Sequence, residues 1–119
     1  MNFDEAIAAH TMWKIRLRKV VDGHGEKLDV ATVAKDNQCD LGKWIHGEGA
    51  SYKSLEAYDK LKTAHAKFHK CAAQVITEVN GGRKASADAL LQPQGEFAKV
   101  STETVTAIMA IKRASAKSA

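Results

Sequence analysis

An all-α fold, a four-helix bundle with a short motif-bearing helix in a crossover, is what the pattern of this 119-residue chain supports. Three observations carry that reading. Apolar residues recur at helical spacing along three stretches, and the strict alternation that marks a half-buried strand is missing. The stop signals Asp22-Gly23-His24-Gly25, Gly47 with Gly49, and Asn80-Gly81-Gly82 fall between the periodic stretches.

The first helix is expected over about 2–22. Phe3, Ile7, Leu17 and either Val20 or Val21 fall on one stripe, Asn2 is placed as the N-cap, and Asp4 and Glu5 lie in the first turn, where the helix dipole favours them. His10 sits within this stripe, so it should point inward. The segment 26–38 mixes Leu28, Val30 and Val33 with polar residues and reads mostly as a crossover, with room for a short helical turn. A brief helix over about 40–45 follows, stopped by Gly47 and Gly49.

The second long helix begins near Ser51 or Ser54 and runs to Asn80. Its stripe is Leu55, Tyr58, Leu61, His65, Phe68, Ala72, Val75 or Ile76, and Val79, which puts His65 in the core and His69 on the same side one turn on. Over about 85–114, Leu90 or Leu91, Phe97, Val100, Thr104, Ile108 and Ile111 repeat at helical spacing. Pro93 predicts an early break there, with a continuous helix after it. The small, basic tail 112–119 is expected to fray.

Length places all of 1–119 in one domain. The chain is 45% hydrophobic and 27% charged with a single proline, which points to a soluble globular protein and away from a membrane one. No basic flank precedes an apolar segment at the N-terminus, so no signal peptide is expected, the cytoplasm is the expected compartment, and Cys39 and Cys71 are expected to stay reduced. The net charge of +4 is scattered along helix faces rather than gathered into a footprint, which argues against a nucleic-acid partner.

The densest stretch is Cys39-Asp40-Leu41-Gly42-Lys43-Trp44-Ile45-His46-Gly47. Zinc takes nitrogen and sulfur donors, usually four in a tetrahedron. His65 and His69 at i, i+4 bring two imidazoles together, His10 is the inward histidine of another helix, and Cys39 would be the fourth donor. Other readings stay open on the residues alone: buried core histidines in an interaction protein, a zinc hydrolase, or a carboxylate-bridged iron bundle similar in outline to hemerythrin. The last two need inward acids near the His65–His69 turn, and 64–70 holds none. His24 and His46 read as exposed turn residues, Cys71 as core filler facing away from the donors, and Trp44 as apolar cover over the metal.

The nine-residue run resembles the signature of the chemoreceptor zinc-binding domain, a bacterial family whose core motif reads Cys-x-Leu/Phe-Gly-x-Trp-x-x-Gly. Two further marks match: a histidine just ahead of a tryptophan on the first helix, His10-Thr11-Met12-Trp13, and the His65–His69 pair downstream. The resemblance implies zinc held by His10, Cys39, His65 and His69 within a four-helix bundle, as a homodimer with no catalytic residue. It also implies a regulatory role in chemotaxis or cyclic-di-GMP signalling, reporting zinc or oxidants such as hypochlorous acid that act on the zinc-bound cysteine. The chain carries neither a receptor coiled coil nor a cyclase region, so it is expected to act alone, on a signalling partner in trans, or within a longer parent.

Overall fold

A computed structural model describes residues 1–24, 27–37 and 39–117, with side chains through Ser115. Every regular element in it is helical. Helix α1 (Phe3–Val21) starts where Asn2 Oδ1 accepts the Glu5 N–H at 3.0 Å. It ends where Gly23 takes φ +80°, a left-handed conformation that lets the His24 N–H reach the Lys19 carbonyl at 2.9 Å. Gly25, the last residue of the expected stop signal, lies outside the described residues.

The crossover holds a short helix, α2 (Val30–Ala34), capped by Asp29, whose carboxylate accepts from the Thr32 backbone and hydroxyl. Helix α3 (Asp40–His46) carries the motif, and a 3₁₀ turn spans Glu48–Tyr52. Helix α4 (Glu56–Asn80) therefore starts later than Ser51 or Ser54. Ser51 is taken up by the 3₁₀ turn, where its hydroxyl donates to the Glu48 carbonyl.

Gly82, at φ +76°, closes α4 as the sequence predicts, with the Arg83 N–H on the Glu78 carbonyl at 2.8 Å. Helix α5 (Lys84–Leu91) stops ahead of Pro93, and α6 (Glu96–Lys117) resumes beyond it. Helix α6 extends through Lys117, with Lys112 Nζ 2.7 Å from Asp4 Oδ1 on α1. Ser118 and Ala119 lie outside the described residues.

Two apolar clusters fill the interior. One joins Leu17, Val21, Val33, Phe68, Ala72, Val75, Ile76, Phe97 and Val100; the other joins Ala6, Leu41, Ile45, Tyr58, Leu61, Ala64, Ala107, Ile108 and Ile111. Helices α1 and α4 pass from the second cluster to the first, and α6 runs the opposite way, so α1 and α4 are parallel. A long crossover is what permits that. Among the described residues the buried polar side chains are His10, His65, His69 and Thr104. His10, His65 and Thr104 fall between the residues of one cluster and those of the other, and His69 follows Phe68 at the edge of the first cluster, so a polar layer crosses an otherwise apolar interior.

Candidate metal centre

Three segments supply the layer. His10 comes from the middle of α1, His65 and His69 from consecutive turns of α4, and Cys39 from the N-cap of α3 at the end of the crossover. Helix geometry accounts for the α4 pair, since residues four apart lie on one face. Cys39 is fixed differently. Its carbonyl accepts the Lys43 N–H at 2.9 Å and its Sγ accepts the Gly42 N–H at 3.4 Å, so the sulfur sits on the N-terminus of α3.

Gly42 has a second role. The Asp36 and Asn37 backbone lies directly on it, and a Cβ there would collide with the Asp36 carbonyl. The glycine is required by close approach and not by an unusual φ.

The donor atoms of His10, Cys39, His65 and His69 all lie within 4.8 Å of one another. His65 Nε2 is 3.1 Å from His10 Nε2 and 3.0 Å from His69 Nε2. Cys39 Sγ is 3.3 Å from His65 Nε2, 3.7 Å from His69 Nε2 and 3.9 Å from His10 Nε2. A tetrahedral zinc with bonds of about 2.0–2.1 Å to nitrogen and about 2.3 Å to sulfur would separate its donors by roughly 3.4 Å (N···N) and 3.6 Å (S···N). The cluster is therefore at the right scale to hold zinc.

The far nitrogens support the same fit. Nδ1 of His10 donates to the Ala6 carbonyl at 2.8 Å, and Nδ1 of His69 donates to the Val33 carbonyl at 3.0 Å. Each bond orients the ring and leaves Nε2 as the free donor atom, the arrangement typical of metal-ligating histidine.

Burial sets the protonation states. It lowers the pKa of all three histidines, that of His65 to about 2, because a charged imidazolium is poorly solvated here. The same desolvation raises the Cys39 thiol, against the opposing pull of backbone N–H groups from Gly42 and Leu41. Neutral imidazoles and a thiol that a metal can deprotonate are the forms zinc takes.

The rings against the histidines are Phe68, 5.1 Å from His10 and 5.6 Å from His69, and Trp13, 6.4 Å from His69. Trp44, expected to cover the metal, instead packs edge-on against Phe3 at 5.1 Å and stacks on Tyr52 at 5.9 Å. It lies on α3 beyond Cys39 and faces the second apolar cluster. His24 and His46 are exposed as expected, and His46 lies 3.6 Å from Asp36. Cys71 is buried in the first cluster, with its pKa pushed up to about 11. The Ala6 and Val33 carbonyls carry no side-chain signal that a sequence reading could use. Thr104 did carry one, as the polar member of an apolar stripe.

A family model described as the chemoreceptor zinc-binding domain matches residues 10–76, more than half of the chain, and the matched span contains all four clustered residues. The chain belongs to this family. Chemoreceptor zinc-binding domains are regulatory modules rather than catalytic ones, and zinc is the ion that the cluster's three imidazoles and one thiol suit. No curated protein and no solved structure matches the chain. Among the described residues of this chemoreceptor zinc-binding domain, no helix is long and apolar enough to cross a membrane.

Proposed function

We propose that this protein is a cytoplasmic sensor module in which His10, Cys39, His65 and His69 hold one Zn²⁺, and that zinc occupancy or oxidation of Cys39 is the signal it reports. The observation that carries this reading is the convergence of three Nε2 atoms and one Sγ within 4.8 Å, with two of the imidazoles already oriented by backbone carbonyls. Bound zinc would hold the Cys39 sulfur as thiolate at neutral pH and tie α1, α3 and α4 together.

Three neutral imidazoles and one thiolate on a divalent ion would leave the loaded set with a net positive charge, which favours approach of an anionic oxidant such as hypochlorite, the conjugate base of hypochlorous acid. With hypochlorous acid, the Cys39 thiolate donates an electron pair to oxygen, an S–O bond forms, the O–Cl bond breaks, and sulfenic acid and chloride result. Sulfenic acid is a poor donor, so Cys39 leaves the set and α3 loses its tie to α1 and α4. Cys39 is half-buried while Cys71 is buried, so Cys39 is the more accessible thiol of the two.

The wider reading follows the family. The domain is a four-helix bundle that works as a homodimer in chemotaxis or cyclic-di-GMP signalling, through a receptor or cyclase in a longer parent or a signalling protein in trans.

Elemental analysis of protein purified without added metal tests the site, beside Cys39→Ala and His69→Ala. About one zinc per chain is expected, sharply reduced in both variants. Full loading of the variants, or iron in place of zinc, would reject the ligand set. Peptide mapping after dilute hypochlorous acid tests the signal. Modification at Cys39 with release of zinc supports it, while an untouched Cys39 beside an oxidised Cys71 leaves zinc a purely structural role.

A further inference from the structure

Helix α1 carries two seams. Its inward face repeats Phe3, Ala6, His10, Trp13 and Leu17 at alternating spacings of three and four residues, and these side chains are buried or half-buried. Two residues on, about 200° around the helix, Glu5, Ala8, Met12, Ile15 and Lys19 repeat the same alternation, and all five are exposed. One seam suffices for packing within the chain. A second, at heptad spacing, is suited to a second helix.

Met12 is 50% exposed and Ile15 47%. Among the described residues the other large hydrophobic side chains left this open are Met1, just ahead of α1, and Met109 of α6, which shares a surface groove with Asp4 and Ile7 of α1. All of them lie at or beside α1. An apolar patch gathered in this way marks an interface.

Charge identifies what covers it. The stripe has an acid, Glu5, near the start of α1 and a base, Lys19, near its end, with apolar residues between them. Lay α1 of a second copy antiparallel on this face, about a twofold axis at Met12, and Glu5 meets Lys19 of the second copy at one end while Lys19 meets its Glu5 at the other. The bulky Ile15 then stands over the small Ala8 of the second copy, on both sides of the axis. A parallel copy would set Glu5 on Glu5 and Lys19 on Lys19. The stripe is therefore complementary to itself in one direction only, as a twofold interface requires.

We propose that Glu5, Ala8, Met12, Ile15 and Lys19 form the face on which two copies of this chain pair, with their α1 helices antiparallel about an axis near Met12. This rests on the homodimer reading above and gives it a surface. His10 stands on the inward seam two residues before Met12, so one helix supplies both a candidate zinc donor and the contact with the second copy. The groove between α4 and α6, floored by Ala64, Ala107 and Ala110, offers no projecting apolar side chain to a partner.

The test is sedimentation equilibrium of the full chain and its variants over a range of concentrations, with helix content and zinc content measured on each. The expected result is a dimer of twice the 12.9 kDa chain mass, converted to monomer by Ile15→Glu with helix and zinc content unchanged. Glu5→Lys and Lys19→Glu should each weaken association about tenfold, since each makes both charge pairs repulsive, and combining the two substitutions should restore it. A parent chain that stays monomeric at up to millimolar concentration would overturn the proposal together with the homodimer reading. A dimer indifferent to Ile15→Glu but split by Thr63→Arg, in the groove between α4 and α6, would overturn this face and keep the dimer. Single charge variants that associate like the parent, or a double variant that does not recover, would overturn the antiparallel arrangement. Protein that holds no zinc yet dimerises through this stripe would support the proposal while rejecting the zinc reading.

Discussion

Gly42→Ala separates a close-approach role from a helix-propensity role. Gly42 lies inside α3, where alanine should by propensity alone stabilise the helix by about 1 kcal/mol. An added Cβ, however, would stand 2.7 Å from the Asp36 carbonyl carbon and 2.9 Å from Asn37 Cα, and closer still to the Asp36 oxygen. Relaxed carbon–carbon contacts are about 3.5–4.0 Å, so the crossover must recede from α3 by roughly 1 Å. All three atoms are backbone, and no side-chain rotation relieves them.

Overpacking of this kind costs about 1–3 kcal/mol, so the clash outweighs the propensity gain at all but its lowest value. Cys39 joins the displaced chain to the N-terminus of α3, so its sulfur is pulled between the two, while zinc sites tolerate about 0.2 Å. The assay is urea unfolding of the metal-free protein together with zinc titration against a chromophoric chelator. Lower stability and weaker zinc binding are expected. Gly82→Ala, which meets open space but needs φ +76°, should lower stability and leave zinc affinity alone. A Gly42→Ala protein as stable as the parent with unchanged affinity would refute the close-approach argument.

Burial depresses the histidine pKa values in the fold, His65 from 6.5 to about 2, so below 6.5 the unfolded chain binds more protons than the folded one. Metal-free stability is therefore full above that value and lost as pH falls below it, by roughly 2 kcal/mol for His65 alone at about pH 5, as urea unfolding across pH will show. His10 and His69 act in the same direction. With Cys39 as the proposed sulfur ligand, zinc would displace its thiol proton, so apparent affinity should rise about tenfold per pH unit while that thiol stays protonated; competition titrations at several pH values check the slope. Thr104→Val removes a buried hydroxyl that lies 2.7 Å from the Val100 carbonyl and 3.2 Å from the Ala64 carbonyl, and should cost about 1 kcal/mol in the same unfolding assay with zinc stoichiometry unchanged.

Much of the fold was legible because its signals are local. The Asn2 cap, the inward stripe of α4, the stop at Gly81-Gly82 and the break at Pro93 each depend on residues within about one turn, and each stands where the sequence puts it. The start of α4 was placed near Ser51 or Ser54 and falls at Glu56, because Ser51 closes a preceding turn, which the apolar stripe of α4 does not reveal. The contact of Lys112 on α6 with Asp4 carries no local signal, because its partners lie at opposite ends of the sequence.

The four candidate donors were also visible in advance, since histidine on an inward stripe and a cysteine ahead of a short motif helix are one-dimensional facts. What the sequence determined by itself is which side chains lie inward and where the helices are interrupted. Tertiary structure alone decided that donors from three segments, up to 59 residues apart, meet, that backbone carbonyls of Ala6 and Val33 orient two of the imidazoles while His65 Nδ1 has no such partner, and that Trp44 packs on Phe3 instead of on the histidines. The physical reason is that capping and periodicity act through neighbours along one helix, whereas which backbone carbonyl meets a buried ring, and whether any does, depends on how separate helices pack.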